Sequence, residues 1–411
     1  MRVRFRSHNW TAGDRTVVKD RRRINPLLLF VGTYLVYNLV GLLNTPWTVA
    51  GAYDKALGWE LFLNGLGGFC LGFLLFGRQK RKIDPRRRTR RRTSKQLTAL
   101  FFLLFLVCLT LVVVLSGGIP LFMGEDRFGN SALAFNLAQL YGFWVLVRLI
   151  SDLEEGRRFL KLQPIIYMCG ALCFGYRTPI LIFCFVVIVY LVVFRLSRLR
   201  AIMLGGLAAA AFIGFAAAFA GYRVSQDYDV ESFFSNIDFQ FIAEHEYLFP
   251  FVPALSMFDY SQNTISSIGN ALRDRMFGQL FLSNYETFLP GKHWGARNII
   301  GDITAARWVA GRPMSITPTL QGALYVDFGY VGVFFGLFAI AVGIGWMWRC
   351  SGRWGALGKF SFCYLMTLSV MSIHNGYWDV GFVFFLLFLL IVRVFDYFRA
   401  SMLPLAARRA I

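Results

Sequence analysis

The segment Phe174-Gly-Tyr-Arg-Thr-Pro179 sets Arg177 at a tight turn between two apolar stretches. A charge at membrane depth is costly, so it faces a cavity or a partner. The planar fork of a guanidinium suits the oxygens of a diphosphate better than an ammonium does. The alternative is a side chain that snorkels to the headgroups. A second group lies in Tyr285-Glu-Thr-Phe-Leu-Pro-Gly-Lys-His-Trp-Gly-Ala-Arg297, where a carboxylate (Glu286), an imidazole (His293) and two cations share one turn. Such a mixture can take a proton from a hydroxyl and hold a phosphate, because an imidazole with a reference pKa of about 6.5 is a base at neutral pH. A lone loop histidine is equally a plain surface residue. Arg127 follows the helix-breaking Gly117, Gly118 and Pro120 and has phosphate within its reach. Read blandly, Glu125-Asp126-Arg127 is a solvated loop cluster.

The elements that must position these residues are membrane helices. The chain has 411 residues, is 56% hydrophobic and has a mean hydropathy of +0.53. Spans of roughly 17–25 apolar residues are the unit, because a helix satisfies its backbone polar groups inside lipid. We read ten, near 26–43, 59–76, 97–116, 133–150, 163–175, 178–194, 201–220, 331–348, 359–373 and 379–396; the fifth is short, so 163–194 could also be one broken helix. A net charge of +20 on a soluble chain would point to nucleic acid. Its distribution points elsewhere. With the N-terminus inside, the inner segments hold 31 of the 43 Lys and Arg, eleven of them in 77–96. The positive-inside rule then puts both termini in the cytoplasm, and the run Arg86–Arg92 reads as topology and anionic-lipid attraction. The basic, polar first 25 residues hold no removable signal peptide. All seven cysteines fall in or beside spans, which excludes a disulfide framework in the outer loops, and no CxxC pair offers a metal site.

This places three units along the chain: an N-terminal bundle over 1–220, a polar outer loop over 221–330, and C-terminal spans over 331–411. The loop divides by charge. Residues 221–260 carry seven carboxylates against one arginine, Arg223, and Phe233, Phe234, Ile237, Phe241 and Ile242 recur near helical spacing. His245 between Glu244 and Glu246 imitates a metal cluster, yet three successive positions cannot all face one point on a helix. Residues 263–312 are cationic, with Arg273, Arg297 and Arg312 among them, and Ile265, Ile268, Leu272, Met276 and Leu280 give a second amphipathic helix. Trp47, Tyr53 and Trp59 read as interfacial anchors.

Four features in order resemble the Wzy-type O-antigen or oligosaccharide repeat-unit polymerases over roughly residues 110–350. They are the Gly-Gly-Ile-Pro-Leu turn at 117–121, the Gly-x-Arg turn at 175–177, the long outer loop, and Thr317-Pro-Thr-Leu-Gln-Gly-Ala-Leu-Tyr-Val-Asp-Phe-Gly-Tyr-Val-Gly332. Ala323 departs from the acidic residue that family members often carry there, leaving Asp327 as the nearby carboxylate. The resemblance implies an all-α, GT-C-like polytopic fold whose long extracytoplasmic loop carries amphipathic helices. It further implies transfer of a polyprenyl-diphosphate-linked glycan onto another lipid-linked unit at the outer face of the plasma membrane, with no metal or other cofactor. Partners would be the lipid-linked oligosaccharide, membrane lipids and a chain-length regulator, with no nucleic acid. On this reading Arg177 is the leading diphosphate ligand and His293 or Glu286 the base. Arg127, Tyr176, Arg223, Arg273, Arg297, Arg312 and Asp327 bind substrate, and Trp294 and Trp308 stack on sugars. Three alternatives stay open: a ligase of the same superfamily, a lipid-linked oligosaccharide flippase, and a metal-dependent glycosyltransferase using Asp54.

Overall fold

The computed structural model describes residues 25–43, 45–47, 54–76, 95–122, 132–157, 162–175, 178–197, 199–207, 211, 214, 238–287, 294–304, 308–309, 312–313, 315–352 and 354–401. The described chain is helical throughout, apart from a pair of two-residue strands. Its helices are α1 (Pro26–Leu42), α2 (Ala56–Phe76), α3 (Lys95–Ser116), α4 (Ala132–Glu154), α5 (Leu162–Cys173), α6 (Thr178–Tyr190), α7 (Phe239–Glu244), α8 (Val252–Ala271), α9 (Gln279–Glu286), α10 (Ala296–Ile303), α11 (Leu320–Cys350), α12 (Gly355–Asn375) and α13 (Gly381–Ser401). Strands β1 (Trp308–Val309) and β2 (Arg312–Pro313) pair antiparallel.

Among the described residues, seven helices are long and apolar enough to cross a membrane: α2, α3, α4, α6 together with the π-helical turn Leu191–Arg195 that continues it, α11, α12 and α13. Two shorter apolar helices, α1 and α5, join them. These nine coincide with nine of the ten expected spans. Most of the tenth, 201–220, lies outside the described residues, so the count of ten is not reached; residues 199–207 are helical. The 163–194 region forms two helices, not one broken one. The turn at Gly175 separates them and rests against Pro120, where a Cβ on the glycine would lie 3.2 Å from the proline carbonyl. Local sequence explains the start of α1: Asn25 accepts from Leu27 N at 3.0 Å, and Pro26 takes the first helical position.

The chain alternation sorts the connections into two ends. One end carries the turns after α1, α3, α5 and α12 and the elements α7–α10. The other carries the turns after α2, α4, α6 and α11, and there Glu154 of α4 takes hydrogen bonds from Tyr190 and Lys359. We call these the loop end and the basic end.

The α2–α11 contact rests on small residues. Gly65, Gly68 and Gly72 share one stripe of α2; a Cβ at Gly68 would collide with the Phe334 carbonyl, and one at Gly72 would lie 2.8 Å from Ala341 Cβ. Glycines spaced four apart let helix backbones touch in lipid, where packing rather than hydrophobicity drives association. Helix α11 is 31 residues long, about 46 Å at 1.5 Å per residue. That exceeds a hydrocarbon core of about 30 Å. It breaks at Gly329, whose φ of 66° and ψ of −155° are glycine territory. The Gly329–Cys350 portion, about 33 Å, suffices to span; Leu320–Phe328 is left to pack with the loop-end elements.

The second amphipathic helix is corrected. Its apolar positions do not share one helix, because α8 ends at Ala271 and α9 starts at Gln279. Between them Phe277 (φ 48°) and Gly278 (φ 91°) turn the chain through the left-handed region. Helix α8 also packs into the bundle, with Ser261, Gln262 and Thr264 buried. Of the first amphipathic segment, Phe233, Phe234 and Ile237 lie outside the described residues. Its described part is the six-residue α7, capped by Asp238 and tied to the turn after α1 by Asp238 N–H to Trp47 O at 2.9 Å.

Candidate active site

The stretch Thr317–Gly329 is the hub of the loop end. Thr319 (φ 57°) caps α11 by accepting from Gly322 N at 3.1 Å. Two turns of helix then distribute polar groups in three directions. Gln321 accepts from Tyr34 Oη at 2.8 Å and donates to Asn38 Oδ1 at 2.8 Å, fixing α11 to α1. Arg275 donates to the Tyr325 carbonyl at 3.0 Å, its guanidinium lying 3.9 Å from the Tyr325 ring centroid. Asp327 is wholly buried and receives Gly278 N, Leu280 N and Phe281 N at 3.0–3.1 Å and Tyr377 Oη at 2.7 Å. It therefore caps the open N–H groups of α9 from another helix. Around it Ile268, Leu280, Ala296, Ile300, Ala323 and Val326 form a separate apolar core. Ala323 is fully buried there and its carbonyl accepts from Tyr377 Oη at 3.2 Å.

We read the meeting point of these loop-end elements as a polar cleft. Ile316 N donates to Arg297 O at 3.0 Å, and Asn284 Nδ2 donates to Trp378 O at 2.7 Å. Those two bonds draw α9, α10, the extended 315–319 segment and the α12–α13 turn together. Asp379 stands in that turn, its Oδ1 accepting from Gly381 N at 3.0 Å. Solvent reaches Asp379, yet enough protein surrounds it that desolvation raises its carboxyl above the ordinary value, against the opposing pull of Arg297 and the Gly381 amide. Burial lowers the half-buried Arg297 guanidinium from its usual value, and Asp379 opposes that. Among the described residues none accepts a hydrogen bond from the Arg297 side chain. Burial and the Asp379 charge push the Tyr285 phenol up to about 12, so it stays a donor. The hydroxyls of Thr317 and Tyr364 are buried without a partner among the described residues. Tyr364 Oη and Asp379 Oδ1 flank Gly381, at 3.6 and 2.9 Å from where its Cβ would be. Unpaired buried hydroxyls cost free energy, a cost that functional clefts tolerate.

Among the expected site residues whose side chains are described, Arg297 alone lies in this cleft. Glu286 ends α9, exposed, and Arg273 is exposed in the turn before α9. Arg312 lies in β2 opposite Val309. Asp327 caps α9 with both carboxylate oxygens occupied, which differs from the expected substrate contact. Arg127, Tyr176, Arg177, Arg223 and His293 fall outside the described residues. Sequence reasoning missed Asp379 and Thr317. The available signal was Tyr377-Trp-Asp379, a carboxylate beside two aromatics at the mouth of the last span. The His245 ring stacks on Phe241, with Nδ1 2.9 Å from the Phe241 carbonyl oxygen.

Fold and cleft define the class: a multi-pass helical membrane protein with a polar site built where the loop-end elements meet the first turns of a long kinked helix. Residues 247–386, about a third of the chain, match the family of putative O-antigen polymerases. The match runs from just before α8 into α13, and so contains the hub and every cleft residue named above. It agrees with the Wzy-type resemblance read from the sequence. No curated protein and no solved structure gives a significant match.

Proposed function

We propose that this protein is a membrane polysaccharide polymerase that passes a polyprenyl-diphosphate-linked glycan onto another lipid-linked repeat unit, without a metal. The observation that carries the reading is the Arg297–Asp379 cleft, since it lies wholly inside the segment matching the O-antigen polymerases. In the reaction, a hydroxyl oxygen of the acceptor sugar attacks the anomeric carbon of the donor. The bond from that carbon to the diphosphate oxygen breaks, and the diphosphate leaves with the electron pair. The hydroxyl proton goes to a carboxylate or an imidazole. Asp379 joins His293 and Glu286 as that base, and its raised pKa brings it closer to the working pH. Arginines stabilise the leaving group, on which the transition-state charge develops. Arg177 leads them, and Arg297, Arg273 and Arg312 assist; Arg127, Arg223 and Tyr176 bind the rest of the substrate. Asp327 holds α9 in place rather than touching sugar.

In this reading residues 221–330 face outward and both termini lie in the cytoplasm of the plasma membrane, in line with the lysines and arginines gathered at the basic end. The test uses purified protein, a lipid-diphosphate-linked repeat unit and excess chelator, with products resolved as a ladder. We expect a ladder that vanishes in Arg177→Ala. A ladder that Arg177→Ala leaves unchanged removes that arginine from the mechanism, and loss of the wild-type ladder in chelator removes metal independence. A single transfer in place of a ladder turns the assignment to a ligase.

A further inference from the structure

At the basic end, away from the cleft, α3, α4 and α5 border an open crevice of about 390 Å³. That is within the roughly 300–1,000 Å³ of ordinary ligand sites. Its wall is apolar, with Phe102 from α3, Tyr141 from α4 and Ile166 from α5. Two cations stand at it: Lys95, the first residue of α3, and Arg148, six residues or roughly 9 Å short of the end of α4. Neither is in an ion pair with a described residue. Arg148 is held by one hydrogen bond, Nη1 to Thr98 Oγ1 at 3.0 Å, and Trp144 Nε1 donates to the same oxygen at 2.9 Å. The guanidinium is thus aimed while most of its donors stay uncommitted.

We propose that this crevice binds one anionic phospholipid, its phosphate between Lys95 and Arg148 and an acyl chain on Phe102, Tyr141 and Ile166. Both halves of the ligand are needed. A free anion gains nothing from the apolar wall, and a zwitterionic lipid meets two cations with no net charge. The depth of Arg148 also fits, because Ser151, Asp152 and Glu154 carry the last turn of α4 out into water, so a cation just before them lies near the level of lipid phosphates. The chain leading into Lys95 holds ten Lys and Arg between 77 and 94, which concentrates anionic lipid at this place. The site does not rest on the polymerase reading.

The experiment is native mass spectrometry and thermal unfolding of the full-length protein in detergent. The probes are phosphatidylglycerol, phosphatidylcholine and orthophosphate. We expect one retained phosphatidylglycerol and a rise in the unfolding temperature that phosphatidylcholine does not reproduce. Lys95→Gln removes an exposed cation and weakens binding roughly fivefold, the weight of one basic side chain at an anionic surface. Ile166→Trp keeps both cations, fills the crevice and also lowers binding. Both variants retain Arg86–Arg92. Unchanged phosphatidylglycerol binding in both therefore hands the effect to those arginines and overturns the proposal. So does equal protection by orthophosphate, which makes the site one for a free anion.

Discussion

Asp379 and Asp327 are both carboxylates at the loop end, and their surroundings give them opposite duties. Asp327 is enclosed and answers three backbone amides and a phenol, so it is a structural acceptor. Replacing it with Ala leaves buried donors unpaired; a loss on the order of 3 kcal/mol is expected, since each such group costs about 1–3 kcal/mol. Thermal inactivation well below the wild-type temperature, in protein that still inserts, checks this. Asp379 has a carboxyl raised by desolvation, so its proton is held more firmly in the folded chain than in the unfolded one. The linked stability is favourable below the ordinary carboxylate pKa and is lost as pH rises through the folded value. Asp379→Asn therefore unfolds no earlier than wild type at neutral pH, while its transfer rate falls roughly 10²-fold or more if the group is the base. The same reading gives the wild-type rate an acid limb: activity rises with pH through the raised pKa, and that limb disappears in Asp379→Asn. A variant with wild-type rate and limb returns the role to His293 or Glu286. Neither duty was readable locally. Asp379 becomes a site only through Arg297, 82 residues earlier in the chain, and Asp327 becomes a cap only because α9 starts beside it.

At the scale of elements, the spans were legible because lipid leaves the backbone no other partner than itself, and composition alone reports that. The break between α8 and α9 was not. Ile265, Ile268, Leu272, Met276 and Leu280 keep a helical rhythm across it, and that rhythm serves the apolar core around Asp327 instead of one helix face. Gly278 marked the place no more strongly than Gly269, which lies inside α8, and Phe277 adopts a left-handed backbone that no propensity foretells. The expected boundary at 330 likewise falls inside α11, one residue past its kink. A sharper consequence concerns α2. Since a Cβ at Gly68 meets the Phe334 backbone, which cannot rotate away, Gly68→Leu should force α2 and α11 apart. Gly67→Leu is the control, its nearest neighbour being the Phe334 ring at 3.7 Å. Expression in the membrane and unfolding temperature should fall for the first and change little for the second. Equal behaviour would mean that the stripe does not set the packing.

For the whole molecule, the two ends divide the labour. Charge gathers at one, where the sequence supplies arginines and lysines in runs; at the other, cations come singly and among aromatics. On the proposed orientation that asymmetry is what the translocation machinery reads: the end kept poor in Lys and Arg would be the one that crosses, and it is the end that carries Arg297 and Asp379. Impermeant maleimide on intact cells tests this directly. In a background whose seven cysteines are replaced, a single cysteine at exposed Glu286 or Arg273 should be labelled from outside. A cysteine at Arg157, 61% exposed by its side chain beyond α4, should label only after the membrane is opened. The reverse pattern would place the cleft in the cytoplasm, where a polymerase acting on exported lipid-linked units has no substrate. It would also turn the Lys95–Arg148 crevice to the opposite leaflet. Labelling at both positions in intact cells would mean that the chain has no fixed orientation, which an excess of 31 among 43 basic residues at one end argues against.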